Sequence, residues 1–315
     1  MTNLQKKEIV QAIHEEKARL GSYARVATKV GVSEATISQM RNDNWDKIAD
    51  GLWTKVAQAL GFTSDEWQLA ETLNFRKITS VLNDAKNESM FMAISYKAGS
   101  GKTATLKHYS EVNSEENVFF IQAREWAKRD FLLELCQKLG IDAGKGYVGV
   151  DKLGMKVIDF FAKRQSRKPL LIVDEADKLR PSALRWFITL YNELEDKMAV
   201  VIAGTENLEK TISKGVKYNK LGFDEISSRF GRKFINNLLG ARKEDVELIC
   251  RANGIDDKAM ISKIFEECEP VNIVIQEQSI KVVEDLRRLK RVIKRELIQQ
   301  KYEMSNNYNH HDRTI

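Results

Sequence analysis

The stretch Ser95-Tyr-Lys-Ala-Gly-Ser-Gly-Lys-Thr103 decides how this chain reads. An apolar run, Met90-Phe-Met-Ala-Ile94, leads into it, and Ala104-Thr-Leu-Lys-His-Tyr109 can continue as a helix after it. Strand, glycine-bearing loop and helix start, in that order, make a phosphate-binding loop, in which successive backbone N–H groups and a helix N-terminus face an anion. Ala98, Gly99, Ser100, Gly101, Lys102, Thr103 and Ala104 would form the cradle. Lys102 would reach the β- and γ-phosphates of ATP, and Thr103 would hold Mg²⁺ through its hydroxyl. The usual pattern has a glycine where this chain has Tyr96. Gly99 and Gly101 still supply permissive backbone beside the phosphates.

The 315 residues allow two or three domains, each with its own core. With 43% hydrophobic and 30% charged residues the composition is that of a folded globular protein, not a disordered one. A formal net charge of +6 is compatible with a polyanionic partner. No apolar run approaches the roughly 18 to 20 residues of a membrane span, and the polar start MTNLQKKE lacks a signal-peptide core. A cytoplasmic protein with no membrane partner is expected. Cys136, Cys250 and Cys268 lie far apart in apolar, helix-like contexts and read as buried free thiols. His310 and His311 fall in a polar tail, residues 304–315, that reads as flexible.

Residues 1–61 read as a compact all-helical domain. Tyr23 to Arg41 has the spacing of a helix-turn-helix: Ala27 small at the crossing, Gly31 at the turn, and Val26, Val30, Val32, Ile37 and Met40 forming a shared core. Ser33 caps the second helix, which would turn Thr36, Ser38, Gln39 and Arg41 outward, groups suited to base edges and phosphates. Trp45, Trp53, Val56 and Leu60 complete the core. Residues 62–87 read as a helical connector, without glycine or proline.

From 88 to 240, short apolar runs alternate with amphipathic helices, which predicts an α/β P-loop NTPase core: a parallel sheet with helices on both faces. The runs are Phe91 to Ser95, Val118 to Gln122, Leu170 to Val173 and Ala199 to Ala203. The third delivers two adjacent carboxylates, Leu170-Leu-Ile-Val-Asp-Glu-Ala-Asp-Lys-Leu179, in the form of a Walker B element. Asp174 would support Mg²⁺, and Glu175 would orient and deprotonate an attacking water. After the fourth run either Thr205 or Asn207 could bond the γ-phosphate or the water, and Thr205 leaves the strand directly. The segment after the second run carries Arg124, Lys128 and Arg129, a candidate DNA contact or an ordinary exposed helix start. Residues 241–303 return to periodic helices, a helical lid whose last helix has Val282, Leu286, Leu289, Ile293 and Leu297 along one stripe.

From the fourth run onward the chain resembles the AAA+ ATPases. Val200-Val-Ile-Ala-Gly-Thr-Glu-Asn207 matches their sensor-1 position. Ile226-Ser-Ser-Arg-Phe-Gly-Arg-Lys233 resembles the segment with the arginine finger, Arg229 or alternatively Arg232, and Asp285-Leu-Arg-Arg-Leu289 resembles sensor 2, with Arg287 meeting the γ-phosphate. Within the superfamily the chain is similar to the transposon ATPases typified by the phage Mu B transposition protein, over VSEATIS at 32–38, AGSGKT at 98–103, LLIVDEADKL at 170–179, ISSRFGRK at 226–233, KEDVELICRANGI at 243–255 and DLRRL at 285–289. Tyr96 and Thr205 depart from that pattern. The resemblance implies ATP hydrolysis, a homo-oligomeric filament or ring on double-stranded DNA through nucleotide interfaces, and activation of a partner transposase. A helicase-loader ATPase and a nucleotide-switched helix-turn-helix regulator are the alternatives.

Overall fold

A computed structural model describes residues 3–60, 67–144, 146–275 and 277–311. The chain divides into two compact units, Met1–Gln68 and Leu69–Ile315.

The first unit is helical: α1 (Asn3–Leu20), α2 (Tyr23–Val30), α3 (Glu34–Arg41) and α4 (Asp50–Ala59). Ser22 accepts the Arg25 N–H at the start of α2, and Gly31, at φ 68°, ends it by donating back to Ala27 and Thr28. Ser33 accepts the Thr36 N–H and so starts α3 as its sequence position predicts. Val26, Val30, Ile37, Met40, Trp53 and Val56 are buried together, and Val32, Trp45 and Leu60 pack partly buried around them. Ile9 and Ile13 of α1 complete this core, a contribution the turn pattern alone does not reveal.

The second unit opens with irregular chain over 69–72 and then α5 (Leu73–Glu88), so the connector is helical only from 73, and its residues 62–66 lie outside the described residues. Its α/β part then runs β1 (Phe91–Ser95), α6 (Lys102–Val112), β2 (Val118–Gln122), α7 (Lys128–Lys138), α8 (Val150–Ala162), β3 (Leu170–Asp174), α9 (Pro181–Leu184), α10 (Trp186–Leu194), β4 (Ala199–Gly204), α11 (Glu206–Lys217) and α12 (Phe223–Arg229). All four predicted strands are present. They pair in parallel in the order β1-β4-β3-β2, and beyond β1 a single parallel bridge joins Ile94 to Ile235.

Both faces of this sheet are covered, which is why its strands read as unbroken apolar runs instead of alternating ones. Leu171, Val173, Val200 and Ile202 face α7, α8, α10 and α12, whereas Leu170, Ile172, Ala199 and Val201 face α5 and α6. Every residue of β3 and β4 is buried. Truncating one of these leucines to alanine costs about 2–5 kcal/mol.

The end of the chain comprises α13 (Lys243–Ala252), α14 (Lys258–Glu267), the antiparallel pair β5 (Val271–Ile275) and β6 (Gln278–Val282), and α15 (Leu286–His311). One expectation is corrected here. The lid stretch is not all helix: Val282 sits in β6, and the last helix starts only at Leu286. The β-branched run Val271-Asn-Ile-Val-Ile275 favours a strand, and pairing with Ser279-Ile-Lys-Val282 satisfies its backbone. The 304–315 tail is helical through His311, its remainder lying outside the described residues.

Candidate functional site

β4 lies between β1 and β3, so the chain leaving Ser95, Gly204 and Asp174 opens along one edge of the sheet. Open parallel sheets bind ligands at this carboxyl edge.

The Tyr96 N–H donates to the Gly204 carbonyl at 3.3 Å, extending the β1–β4 ladder by one residue. Its ring is half-buried against the α5 and α6 side of the core, and that burial raises its phenol pKa. Tyr96 has no positive φ, so the glycine usual at this position is dispensable. Gly99 and Gly101, at φ 80° and 89°, do need glycine's freedom, and a Cβ on Gly99 would also collide with the Asp285 carboxylate.

Gly101 caps α6 without a side-chain bond. Among the described residues the backbone N–H groups of Gly101, Lys102, Thr103 and Ala104 donate to no protein acceptor. They are the unpaired donors of a helix start, with the positive end of its dipole behind them. Lys102 is 7% exposed, and its ammonium donates to the carbonyls of Tyr96 and Lys97 at 2.7 and 2.8 Å and to Ser100 Oγ at 3.2 Å. Burial lowers its pKa, the Asp174 and Asp177 carboxylates oppose that, and the Arg287 guanidinium adds to the lowering.

Asp174 ends β3 at 1% exposure. Burial raises its pKa, against a hydrogen bond from the Thr103 side chain and one from the Glu175 backbone. Its Oδ2 is buried with no hydrogen-bond partner. An unpaired carboxylate oxygen beside a threonine hydroxyl is a hard-oxygen donor set that fits Mg²⁺, which binds through one or two protein oxygens and keeps much of its water shell. Thr103 and Asp174 would hold that ion, and it would supply charge neutralisation for a phosphate chain.

Glu175 stands at φ 54°, an unusual conformation for glutamate, and its Oε2 accepts from Lys178 Nζ at 2.6 Å. Thr205 is held differently from expectation. Its hydroxyl donates to Asp177 Oδ2 at 2.7 Å and accepts the Asn207 N–H at 3.3 Å, so it caps α11 with its own proton already bonded. Asn207 is exposed two residues further on. Asp177, the second aspartate of the β3 end, was not singled out from sequence, although the Asp-Glu-Ala-Asp spacing carried the signal.

Arg229 turns back onto its own chain. Its guanidinium bonds Asn192 Oδ1 at 2.8 and 3.2 Å and the Glu225 carbonyl at 3.2 Å, with the side chain only 20% exposed. Arg232 is 57% exposed and paired with Asp224 at 2.8 Å.

The chain from β6 into α15 reaches the loop at two points. Leu286 N–H donates to the Gly99 carbonyl at 2.9 Å, and Lys97 pairs with Glu284 at 2.6 Å. Asp285 accepts the Arg287 N–H, which sets the entry to α15. Asp285 in front of an apolar-periodic helix is a start signal that sequence reading left unused.

Of the proposed DNA contacts, Arg124 is exposed, while Lys128 pairs with Asp151 at 3.4 Å and Arg129 stacks its guanidinium over Tyr147 at 4.8 Å. In the first unit Thr36 bonds Ser33, Ser38 accepts from Asn42, and Gln39 is partly buried. Arg41 does not project outward as expected: its guanidinium lies 3.6 Å from the centroid of the Tyr23 ring, a cation–π contact that shields it from water.

A phosphate loop on β1 and a buried aspartate ending β3, with a polar strand end between them, define the P-loop class of nucleotide-binding α/β proteins. More narrowly, residues 85–212, which hold the parallel sheet and its flanking helices, match the family described as AAA domain. No curated protein matches the chain. Among solved structures it is similar to Cdc6p from Pyrobaculum aerophilum, at 17% identity and a TM-score of 0.49, over 66% of this chain and 57% of that one. It is similar to the Aeropyrum pernix ORC1 protein, solved in complex with DNA, at 15% identity and a TM-score of 0.47, over 71% and 58%. The ORC2 protein of the same organism, solved with ADPNP and ADP, gives 15% and 0.46, over 60% and 54%. The match thus spans little more than half the length of each of these structures. Among the described residues no helix is long and apolar enough to cross a membrane.

Proposed function

We propose that this protein is a Mg²⁺-dependent ATPase whose nucleotide state governs its assembly on double-stranded DNA. The observation that carries the nucleotide half is the Thr103–Asp174 pair, with one carboxylate oxygen buried and unbonded in front of four free N–H groups of a helix start. Lys102 then neutralises phosphate charge, Glu175 takes the proton of the attacking water, and Arg287 approaches from α15. The DNA half is supported by the helical unit with Ser33 capping α3, by exposed Arg124, and by a net charge of +6. Contacts of this kind are mainly to phosphate, with weak sequence preference and steep salt dependence. Activation of a transposase, following the resemblance to transposon ATPases, is the partner role we assign to it.

Electron microscopy with long duplex DNA tests the assembly, comparing ATP with ADP. Filaments or rings only with ATP are expected; identical particles in both states would overturn the coupling. A second reading, a regulator in which nucleotide only switches DNA binding, is favoured by the Lys178–Glu175 pair, which engages the candidate base. Absence of ATP turnover both with and without DNA would select it.

A further inference from the structure

Asn74, the second residue of α5, is 8% exposed, and both N–H donors and the carbonyl oxygen of its amide are engaged by backbone. Nδ2 donates to the Ser100 carbonyl in the phosphate loop at 3.2 Å and to the Leu239 carbonyl at 2.5 Å, while Oδ1 accepts the Leu239 N–H at 3.0 Å. One residue earlier, the Leu73 N–H donates to Asp245 Oδ1 at 2.8 Å, and the other oxygen of Asp245 accepts the Arg242 N–H at 3.1 Å. The Asp245 carboxylate thus lies between the N-termini of α5 and α13, where both helix dipoles favour its charge. Three segments far apart in sequence meet here: the start of α5, the phosphate loop, and the chain that leaves the sheet for α13.

Ser100 is the pivot. Its carbonyl belongs to the peptide whose other end is the Gly101 nitrogen, the first of the four free N–H groups. Fixing that carbonyl fixes which way the neighbouring N–H points, because the peptide is planar.

We propose that Asn74 is a positioning residue for phosphate binding: its amide clamps the Ser100 peptide so that the Gly101 N–H faces the ligand, and ties that orientation to the chain entering α13 through Leu239. A shift of the lid would then move the loop, and an anion held by the loop would steady the lid. This rests on the reading of the loop as an ATP-phosphate site.

Two variants and a base-free ligand test it. Asn74→Asp keeps the shape and the acceptor for Leu239 N–H but removes both donors and sets a carboxylate against two carbonyls. Asn74→Ala removes the clamp without adding charge. ATP dissociation constants are expected to rise about tenfold in Asn74→Ala, equivalent to about 1.4 kcal/mol, and further in Asn74→Asp. In ligand-free protein, amide hydrogen exchange should quicken together at Thr105, whose N–H bonds the Gly101 carbonyl, and at 239–245. Wild-type binding by the isosteric Asn74→Asp, or faster exchange in only one of the two places, would overturn the clamp. If neither variant folds, wild-type protein with Mg²⁺ and tripolyphosphate, which lacks a base to touch the lid, decides the matter. Exchange slowing at 99–104 and 239–245 together supports the proposal, and slowing at 99–104 alone defeats it. Wild-type protein that binds no ATP would defeat the nucleotide reading, and the ligand-free exchange comparison would still judge the clamp.

Discussion

The Glu175 carboxylate rests against the Lys178 ammonium, Oε2 to Nζ at 2.6 Å, one turn beyond the end of β3. The contact holds the lysine above its ordinary pKa. It also ties up the oxygen that would take a proton from water. Replacing Glu175 with Gln removes the base while leaving the phosphate cradle intact. ATP turnover should fall about 10²- to 10⁴-fold, with nucleotide affinity nearly unchanged. Lys178→Ala releases the carboxylate; an ion pair this exposed is worth about 0.2–1 kcal/mol, so turnover should rise by a factor of up to about five. Steady-state hydrolysis assays check both. A Glu175→Gln protein that keeps half the wild-type rate would exclude Glu175 as the base.

Thr205 and Asn207 separate by stability. The Thr205 hydroxyl is spent on Asp177 and on capping α11, and removal of a helix cap costs about 0.5–2 kcal/mol. Thr205→Ala should lower the melting temperature by a few degrees, at about 2–4 °C per kcal/mol for a unit of this size. Asn207→Ala disturbs only an exposed amide, so any loss of turnover it causes should come without a thermal shift. Calorimetry beside hydrolysis rates distinguishes them. If instead Thr205→Ala melts as wild type and loses turnover, Thr205 is the residue that senses the phosphate.

The strands were legible because a sheet covered on both faces demands unbroken apolar runs, and Leu170 to Val173 or Val200 to Ala203 can be little else. The loop and the Asp174-Glu175 pair were legible because each is a local pattern at a strand end. What could not be read is what depends on distant chain. Lys97 meets Glu284, and Asn74 meets Ser100 and Leu239, across separations that leave no periodic trace. The β5–β6 pair was missed because Val282 also fits a helical stripe with Leu286 and Leu289. Arg41 was read as outward from its place on the second helix and Arg229 as a finger reaching a neighbouring subunit from its resemblance; Tyr23, and Asn192 with Tyr191, provide intramolecular partners for them here.

Buried thiols make a direct check on the packing of α13 and α14. Burial pushes the Cys250 thiol up to about 12 and the Cys268 thiol up to about 11. The neutral form is favoured by folding, so the nucleophilic thiolate stays scarce until the pH nears those values. Iodoacetamide at pH 8 should leave both unmodified in native protein and modify both in denaturant, as read by mass spectrometry. Rapid native-state labelling of Cys250 would mean that α13 opens locally on the timescale of the reaction.

Arg229 and Arg232 compete for the role of a residue reaching into a neighbouring subunit's nucleotide, and their settings predict different outcomes. Arg229 is held by Asn192 and Glu225 and lies 5.6 Å from the Tyr191 ring centroid. Its partners Asn192 and Glu225 are themselves exposed and can bond water instead, so Arg229→Ala should lose only the net value of its own hydrogen bonds, about 0.5–1.5 kcal/mol, whatever its effect on turnover. Arg232 is an exposed partner of Asp224, a class of pair worth little to folding. Arg232→Ala should melt as wild type. Mixing decides which of them acts in trans. A subunit lacking its own cradle lysine, Lys102→Ala, can still lend an arginine to a neighbour, and one lacking the arginine can still bind nucleotide. Equal mixtures of Lys102→Ala with the variant of the true finger should therefore recover part of the turnover that each lacks alone. We expect recovery with Arg232→Ala, because only that side chain is free to leave its own subunit without unpicking α10 from α12. Recovery with Arg229→Ala alone would show that the Asn192 contact breaks on assembly and that Arg229 is the finger.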